Sequence, residues 1–289
     1  MTLHNYSTKP IIFKPFETKT PEELCQEWEK MPYADIRDLR MYYEIHGPEK
    51  AEPLFLLNGA LDVIAPDSTW GYQLPRFAQE YRVIFYEHRG HGRTNNPSGH
   101  FESYHQLADD LLALAEYLQI PKAHYVAFSD GAITALDFTL RYPQNVDTLV
   151  LIGANYRNDS TVVDNLETLT PAYMESHYPE WITRLQKHHP QSLDQWRRVT
   201  EQLNLMWVDN PDYTAEEMAR VTAPTLVMCG QYDPYGHVEQ TLEIQAAIKG
   251  SELAIIPGAS HPVMLQRPEI VTLIILDFLK RKIAKRNKK

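Results

Sequence analysis

Residues 124–136 read HYVAFSDGAITAL. An apolar run leads into the pentapeptide Ala-Phe-Ser-Asp-Gly at 127–131, and a helical pattern follows. Small residues around Ser129 at a strand-to-helix junction indicate a nucleophile on a tight turn, because larger neighbours would strike the adjoining strand or helix. The usual G-x-S-x-G pattern has glycine where this chain has Ala127, the smallest substitute. Since serines in such turns are often structural, the pentapeptide alone leaves both roles open.

Short apolar runs alternate with helical patterns along much of the chain. The helix expected from about 104 to 118 shows the pattern well, with leucines at 107, 111, 114 and 118, spaced three and four residues apart. Such alternation predicts an α/β fold with a mostly parallel sheet covered by helices on both faces. The expected strands are residues 40–45, 54–57, 82–86, the run ending at Ser129, 148–152, 224–228 and 252–256.

The strand pattern is interrupted once, which suggests a division of the chain into parts. Residues 1–35 are expected to be an N-terminal extension with a short helix from Thr20 to about Lys30, because a hydroxyl cap precedes Pro21 and two glutamates. The core comprises 36–155 and 213–289. Residues 156–212 carry helical patterns and three of the five tryptophans, and we expect a helical cap over an apolar pocket. These rings could instead only attach the insertion to the core. The candidate lining residues are Tyr173, Met174, Tyr178, Trp181, Met206 and Trp207.

Composition narrows the classes of function. A formal net charge of −10 disfavours a nucleic-acid partner, although seven basic residues lie in the last ten, 280–289. Apolar runs of membrane-span or signal-peptide length are missing, so neither a membrane span nor secretion is expected. The only cysteines, Cys25 and Cys229, lie far apart, which makes a disulfide framework improbable and a cytoplasmic location the expectation.

A serine hydroxyl needs a base to accept its proton, and the base needs a third group to orient it. The loops after parallel strands meet at one edge of the sheet. Asp233 follows the strand 224–228 and His261 follows the strand 252–256, so both are expected to meet Ser129. Asp233, which precedes a proline, could also be a turn residue, and Asp159 is a weaker candidate for the third group.

The order Ser129, Asp233, His261, with spacings of 104 and 28 residues, resembles that of the α/β-hydrolase superfamily. The resemblance covers about residues 40–283 and is closest to the serine hydrolases with a helical cap inserted after the sixth strand. It also rests on ordered matches at Asn58-Gly59-Ala60, at His88-Arg89-Gly90-His91-Gly92, at Gly230 to Asp233, at Gly258 to His261, and at Pro268-Glu269.

The resemblance implies an oxyanion hole made by the backbone N–H groups of Ala60 and Asp130. Asn58 stands where the family commonly has histidine, but the donated N–H is a backbone group and survives this change. The Asp130 side chain is expected to be solvated or to cap the helix. His88 and His91 have H-x-x-H spacing but lack a third ligand, so no metal or other cofactor is expected there.

The predicted function is hydrolysis of a carboxylic ester or lactone in a small, largely apolar substrate through an acyl-enzyme intermediate. Two alternatives stay open at this point. The same three residues could hydrolyse a carbon–carbon bond in a diketone-like substrate, or the fold could serve as a catalytically silent ligand receptor. The only partner expected is the small-molecule substrate, and the sequence does not indicate an oligomeric state.

Overall fold

The computed structural model describes residues 33–192 and 194–286, excluding the side chain of Glu167. Residues 1–32, which include the helix expected at 20–30 and Cys25, and the last three residues lie outside these ranges. Eight strands form a sheet of order β1-β2-β4-β3-β5-β6-β7-β8. Their bounds are β1 Tyr33–Ile36, β2 Leu39–His46, β3 Pro53–Leu57, β4 Arg82–Tyr86, β5 Ala123–Phe128, β6 Val146–Ile152, β7 Thr225–Gly230 and β8 Glu252–Ile256.

The sheet is antiparallel only at one edge, where β1 pairs with β2 and β2 with β4. The remaining pairs are parallel. All six residues of β5 and of β7 are buried, as expected for strands covered on both faces. The α/β fold class and the mostly parallel sheet are therefore confirmed.

From β3 onward, helices lie between successive strands, and between β6 and β7 several helices follow one another. Their bounds are α1 Leu74–Phe77, α2 Tyr104–Tyr117, α3 Asp130–Arg141, α4 Ser160–Leu166, α5 Pro171–His177, α6 Pro179–His188, α7 Gln195–Asp209, α8 Ala215–Met218, α9 Val238–Ala247, α10 Val263–Gln266 and α11 Pro268–Arg286. Short 3₁₀ turns occupy Pro143–Asn145 and Glu167–Leu169. Within the described ranges, none of these helices is both long and apolar enough to cross a membrane.

The N-terminal edge of the sheet differs from the sequence-based expectation. β1 was not predicted, and the boundary drawn at residue 35 cuts through it. β1 is a four-residue edge strand joined to β2 by a tight turn in which Arg37 has φ 51°. A strand this short gives too little alternation to be recognised in a sequence.

The segment between β6 and β7 consists of helices α4 to α8 with no strand among its described residues. Its two ends lie side by side, because an isolated antiparallel bridge joins Arg157 to Asp212. The Tyr213 N–H also donates to the Tyr156 carbonyl at 2.8 Å. These contacts join residues at or next to the two bounds expected for the insertion, 156 and 212, whereas the chain returns to the sheet only at Thr225, after α8.

The loop 88–92 after β4 is held by buried polar contacts. The Arg89 side chain is 1% exposed and donates to Asp110 at 3.0 Å and to Asp38 at 2.8 Å. Burial, and then the neighbouring His91, lower the pKa of His88 to about 3, and burial lowers the pKa of His91 to about 4. Neutral, enclosed rings around a buried ion pair are consistent with a structural loop.

Candidate active site

Ser129 lies between the last residue of β5 and the first of α3, with φ 54° and ψ −125°. A non-glycine residue rarely adopts this conformation, so the surrounding structure must hold it. A Cβ at Gly131 would lie 2.3 Å from the Asn58 carbonyl oxygen, which explains why a glycine follows the serine at that spacing. Ala127, where glycine is usual, is fully buried within β5, and its methyl group is accommodated there.

The structure brings His261 and Asp233 to this serine. His261 Nε2 lies 2.9 Å from Ser129 Oγ, and His261 Nδ1 lies 2.8 and 2.9 Å from the two Asp233 oxygens. The Asp233 side chain is fully buried, whereas the His261 side chain is 16% exposed. The imidazole therefore joins an enclosed carboxylate to a hydroxyl at the rim of the sheet.

The Asp233 carboxylate is fixed by its own loop. The N–H groups of Tyr235 and Gly236 both donate to Oδ1 at 3.0 Å. Because an ionised carboxylate only accepts hydrogen bonds, neutral His261 carries its proton on Nδ1. Nε2 is left to accept the hydroxyl proton of Ser129. This is the tautomer that a general base in this position requires.

Two glycines that sequence reasoning missed let the carboxylate and the imidazole meet. Gly153 directly follows β6 with φ 61°, and a Cβ there would lie 3.1 Å from Asp233 Oδ2 and 3.1 Å from His261 Cε1. A Cβ at Gly236 would come within 2.2 Å of the Gly153 carbonyl carbon. The only sign of this role in the sequence was that Gly153 directly follows the predicted strand 148–152.

The loop after β3 lies against the serine. A Cβ at Gly59 would lie 3.0 Å from Ser129 Cβ, so Gly59 permits this close approach. Within the described part of the chain, the backbone N–H groups of Ala60 and Asp130 have no hydrogen-bond acceptor. The Asn58 side chain is fully buried, and neither of its amide atoms has a partner among the described residues.

The expectation that the Asp130 side chain is solvated or caps the helix is wrong. Asp130 is 8% exposed and makes no cap, and its carboxylate accepts from Tyr104 Oη at 2.7 Å and from Trp207 Nε1 at 3.1 Å to each oxygen. Burial raises the pKa of Asp130 to about 6, although these two hydrogen bonds oppose the shift. Packing of α7 and α2 over the start of α3 encloses the group.

The six residues expected to line a pocket fall into two groups. Met174, Met206 and Trp207 are at most 4% exposed and belong to the main hydrophobic cluster. Tyr173, Tyr178 and Trp181 lie nearer the surface in a chain of aromatic contacts, with Tyr178 44% exposed. Of the six, the indole of Trp207 reaches the residue next to Ser129.

Asp159, the weaker candidate for the third group, lies elsewhere. Its Oδ2 is 2.9 Å from His237 Nε2 and accepts from Gln240 Nε2 at 2.9 Å, while its Oδ1 accepts from the Val162 N–H. Asp159 therefore stabilises the start of the segment between β6 and β7, and Asp233 is the carboxylate that contacts His261.

The strand order, the strained serine between β5 and α3, and the residues that follow β7 and β8 define a hydrolase of the α/β-hydrolase superfamily. More narrowly, the chain belongs to the hydrolase family described as "Serine aminopeptidase, S33", which matches residues 73–267.

Comparison with individual proteins agrees with this assignment. The chain is 25% identical over 260 residues to a protein of Agrobacterium fabrum named "Putative carbamate hydrolase RutD", covering 83% of this chain and 98% of that one. It is 24% identical over 262 residues to carboxylesterase YbfK of Bacillus subtilis, covering 86% of each. The crystal structure of the enol-lactonase from Burkholderia xenovorans LB400 superposes with a TM-score of 0.71 at 22% identity, over 86% of this chain and all of that one.

Proposed function

We propose that this protein hydrolyses carboxylic esters or lactones of small, uncharged, largely apolar substrates through an acyl-enzyme on Ser129. The observation that carries the proposal is the continuous chain of hydrogen bonds from Asp233 through His261 to the Ser129 hydroxyl. A serine hydroxyl is otherwise too weak an acid to attack a carbonyl at neutral pH. A base at 2.9 Å removes that limitation.

In the first half of the proposed reaction, Ser129 Oγ attacks the carbonyl carbon while His261 Nε2 accepts the hydroxyl proton. The buried Asp233 carboxylate stabilises the imidazolium that forms, and its hydrogen bond to Nδ1 keeps the ring oriented. The negative charge that develops on the carbonyl oxygen is stabilised by the N–H groups of Ala60 and Asp130. Loss of one such donor typically lowers turnover by about 10²–10³-fold.

The first half ends when the tetrahedral intermediate collapses: the bond to the alcohol breaks, His261 protonates the leaving alcohol, and the acyl group stays on Ser129. In the second half, His261 takes a proton from water. The hydroxide attacks the acyl group on Ser129, and the same two N–H groups stabilise the second tetrahedral intermediate. Collapse of this intermediate releases the acid and restores the serine. A lactone follows the same path, except that its alcohol stays attached to the acyl chain.

The surroundings of Ser129 support an uncharged acyl group. The Asp130 carboxylate lies one residue from the nucleophile and is enclosed, so it repels an anionic substrate once it is ionised. In this proposal residues 156–212 act as the cap, with Trp207 as the cap residue nearest the nucleophile. The relatives named a carboxylesterase and a carbamate hydrolase are consistent with acyl transfer from a neutral carbonyl.

The proposal is tested by measuring kcat and KM for a series of p-nitrophenyl esters of increasing acyl length, for simple lactones and for a carbamate. We expect turnover of short esters or lactones that is lost in Ser129→Ala and kept in Ser98→Ala, which changes a serine of an exposed loop. Turnover of vinylogous diketones without turnover of esters would instead indicate carbon–carbon bond hydrolysis. Equal turnover by Ser129→Ala and the unmodified protein would refute the proposal.

A further inference from the structure

A second cluster of ligating side chains lies at the other end of the sheet from Ser129. Glu52 immediately precedes β3, His124 is the second residue of β5, and Asp147 is the second residue of β6. The beginnings of these parallel strands lie at the edge opposite the active-site rim. Ser129 lies five positions after His124 along β5, about 16 Å away at a rise of about 3.3 Å per residue. The cluster therefore takes no part in the proposed ester hydrolysis.

His124 is the least ordinary member of the cluster. It is 1% exposed, and its Nε2 has no hydrogen-bond partner within the described residues. Its Nδ1 lies 2.9 Å from Thr148 Oγ1, and Nε2 points toward Glu52, with Oε2 at 3.9 Å. In the tautomer in which Nδ1 donates to the Thr148 hydroxyl, Nε2 carries a free lone pair, which is the arrangement of metal-binding histidines.

The three side chains are close enough to share one ion. One ligand atom from each of Glu52, His124 and Asp147 lies within 4.8 Å of the others. Ligand atoms around a tetrahedral zinc ion are about 3.3 Å apart, so small rotations of the two carboxylate side chains complete the geometry. His124 and Asp147 also line a cavity of about 400 Å³, which gives an ion a path from solvent.

The two carboxylates are already neutralised by side chains that an ion would have to displace. Arg286 pairs with both Glu52 and Asp147, and Lys122 Nζ lies 3.0 Å from Asp147 Oδ1. Both basic side chains are at least 40% exposed, and such pairs contribute little to stability. One divalent ion would replace two single positive charges, and the His124 nitrogen would gain a partner.

We propose that Glu52, His124 and Asp147 bind a divalent transition-metal ion, with zinc the best match to one imidazole and two carboxylates. The ion would join the beginnings of β3, β5 and β6 and release the end of α11 at Arg286. Lys249, Lys282 and Lys285 line the same cavity, and their charge lowers the affinity. Three protein ligands leave the fourth position of the ion to water, so the affinity for the ion is moderate, and Arg286 competes with the ion for the two carboxylates.

The test is isothermal titration of tag-free, chelator-treated protein with zinc chloride, followed by titration with cobalt chloride, whose absorption reports the ligand geometry. We expect one ion per chain. Glu52→Gln, Asp147→Asn and His124→Gln should each weaken binding by at least about tenfold. Arg286→Gln should strengthen it, because the competing cation is gone. The control is His100→Gln, which removes an exposed histidine that also lies near a glutamate, Glu102, and which should bind as the unmodified protein does.

Equal zinc affinity in the unmodified protein and Asp147→Asn would overturn the proposal, as would the absence of binding up to about 1 mM zinc. Weaker rather than stronger binding by Arg286→Gln would overturn the role of the arginine as competitor. If the buried His124→Gln does not fold, the variants of Glu52 and Asp147, whose side chains are 40% and 11% exposed, still test the proposal. Ester turnover by Asp147→Asn should match that of the unmodified protein, which separates this site from the proposed reaction.

Discussion

Replacing Gly153 by alanine tests whether the meeting of Asp233 and His261 is what makes the serine reactive. The new Cβ would lie 3.1 Å from Asp233 Oδ2, 3.1 Å from His261 Cε1 and 3.2 Å from His261 Nδ1. Contacts this short require the neighbours to move by a few tenths of an ångström. The carboxylate and the imidazole are the groups that must move, because all three contacts are to them.

The expected loss follows from that displacement. A misplacement of 1 Å costs about 10²-fold in rate, so a movement of about 0.3 Å corresponds to about a threefold to tenfold fall in kcat. KM should change little, because the nearest neighbours of the new Cβ are Asp233 and His261. The positive φ of Gly153 adds a cost in stability of about 1–2 kcal/mol for a residue with a side chain.

Gly99 offers a control with the same backbone cost and none of the contacts. Its φ is 70°, and a Cβ there would meet nothing within 4 Å. Gly99→Ala should lose similar stability in urea unfolding and keep its kcat within about twofold, since nothing in the site moves. The kinetics of both variants would be measured with a short p-nitrophenyl ester. If kcat is the same in the two variants, the packing of Asp233 against His261 does not control the reaction.

Three further predictions concern single side chains. Asp233→Asn should lower kcat by about 10⁴-fold with little change in KM, because the amide favours the wrong tautomer of His261; steady-state kinetics would measure this. The pKa of Asp130 is about 6 in the folded protein and about 3.9 in the unfolded chain. Burial of Asp130 therefore lowers the free energy of unfolding progressively as the pH rises from about 4 to about 6, and the whole of this loss is present above about pH 6. Asp130→Asn should therefore raise the free energy of unfolding by about 2–3 kcal/mol near pH 8 and hardly at pH 4, and an equal effect at both would contradict the assignment. Arg89→Met should cost about 2–4 kcal/mol in urea unfolding, because the buried Asp110 carboxylate loses two hydrogen bonds from Arg89 and keeps only the partly exposed Arg37 as a cationic partner; a loss below about 1 kcal/mol would show that the Arg89 pair is unimportant.

The residues whose positions are set by the parallel strands that precede them could be predicted from the sequence. Ser129, Asp233 and His261 each follow an apolar run, and parallel strands place the residues that follow them at one edge. The fold class followed from the same alternation of runs and helical patterns. No comparable local pattern marked β1, whose four residues are an edge strand stabilised by pairing with β2.

The environment of Asp130 could not be read from the sequence because its partners are distant along the chain. Tyr104 lies 26 residues before it and Trp207 lies 77 residues after it. The first turn of a helix is usually exposed, which made a solvated or capping carboxylate the natural expectation. The role of Gly153 was hidden for a similar reason, since its neighbours come from the loops after β7 and β8.

The most direct test of the central claim is to trap the nucleophile and locate it. The protein would be treated with a fluorophosphonate, digested, and the modified peptide sequenced by mass spectrometry. We expect a single adduct on Ser129 that is lost in Ser129→Ala and forms much more slowly in His261→Gln, because the base that activates the hydroxyl is missing. An adduct on a different residue, or labelling of Ser129→Ala at the rate of the unmodified protein, would contradict the account.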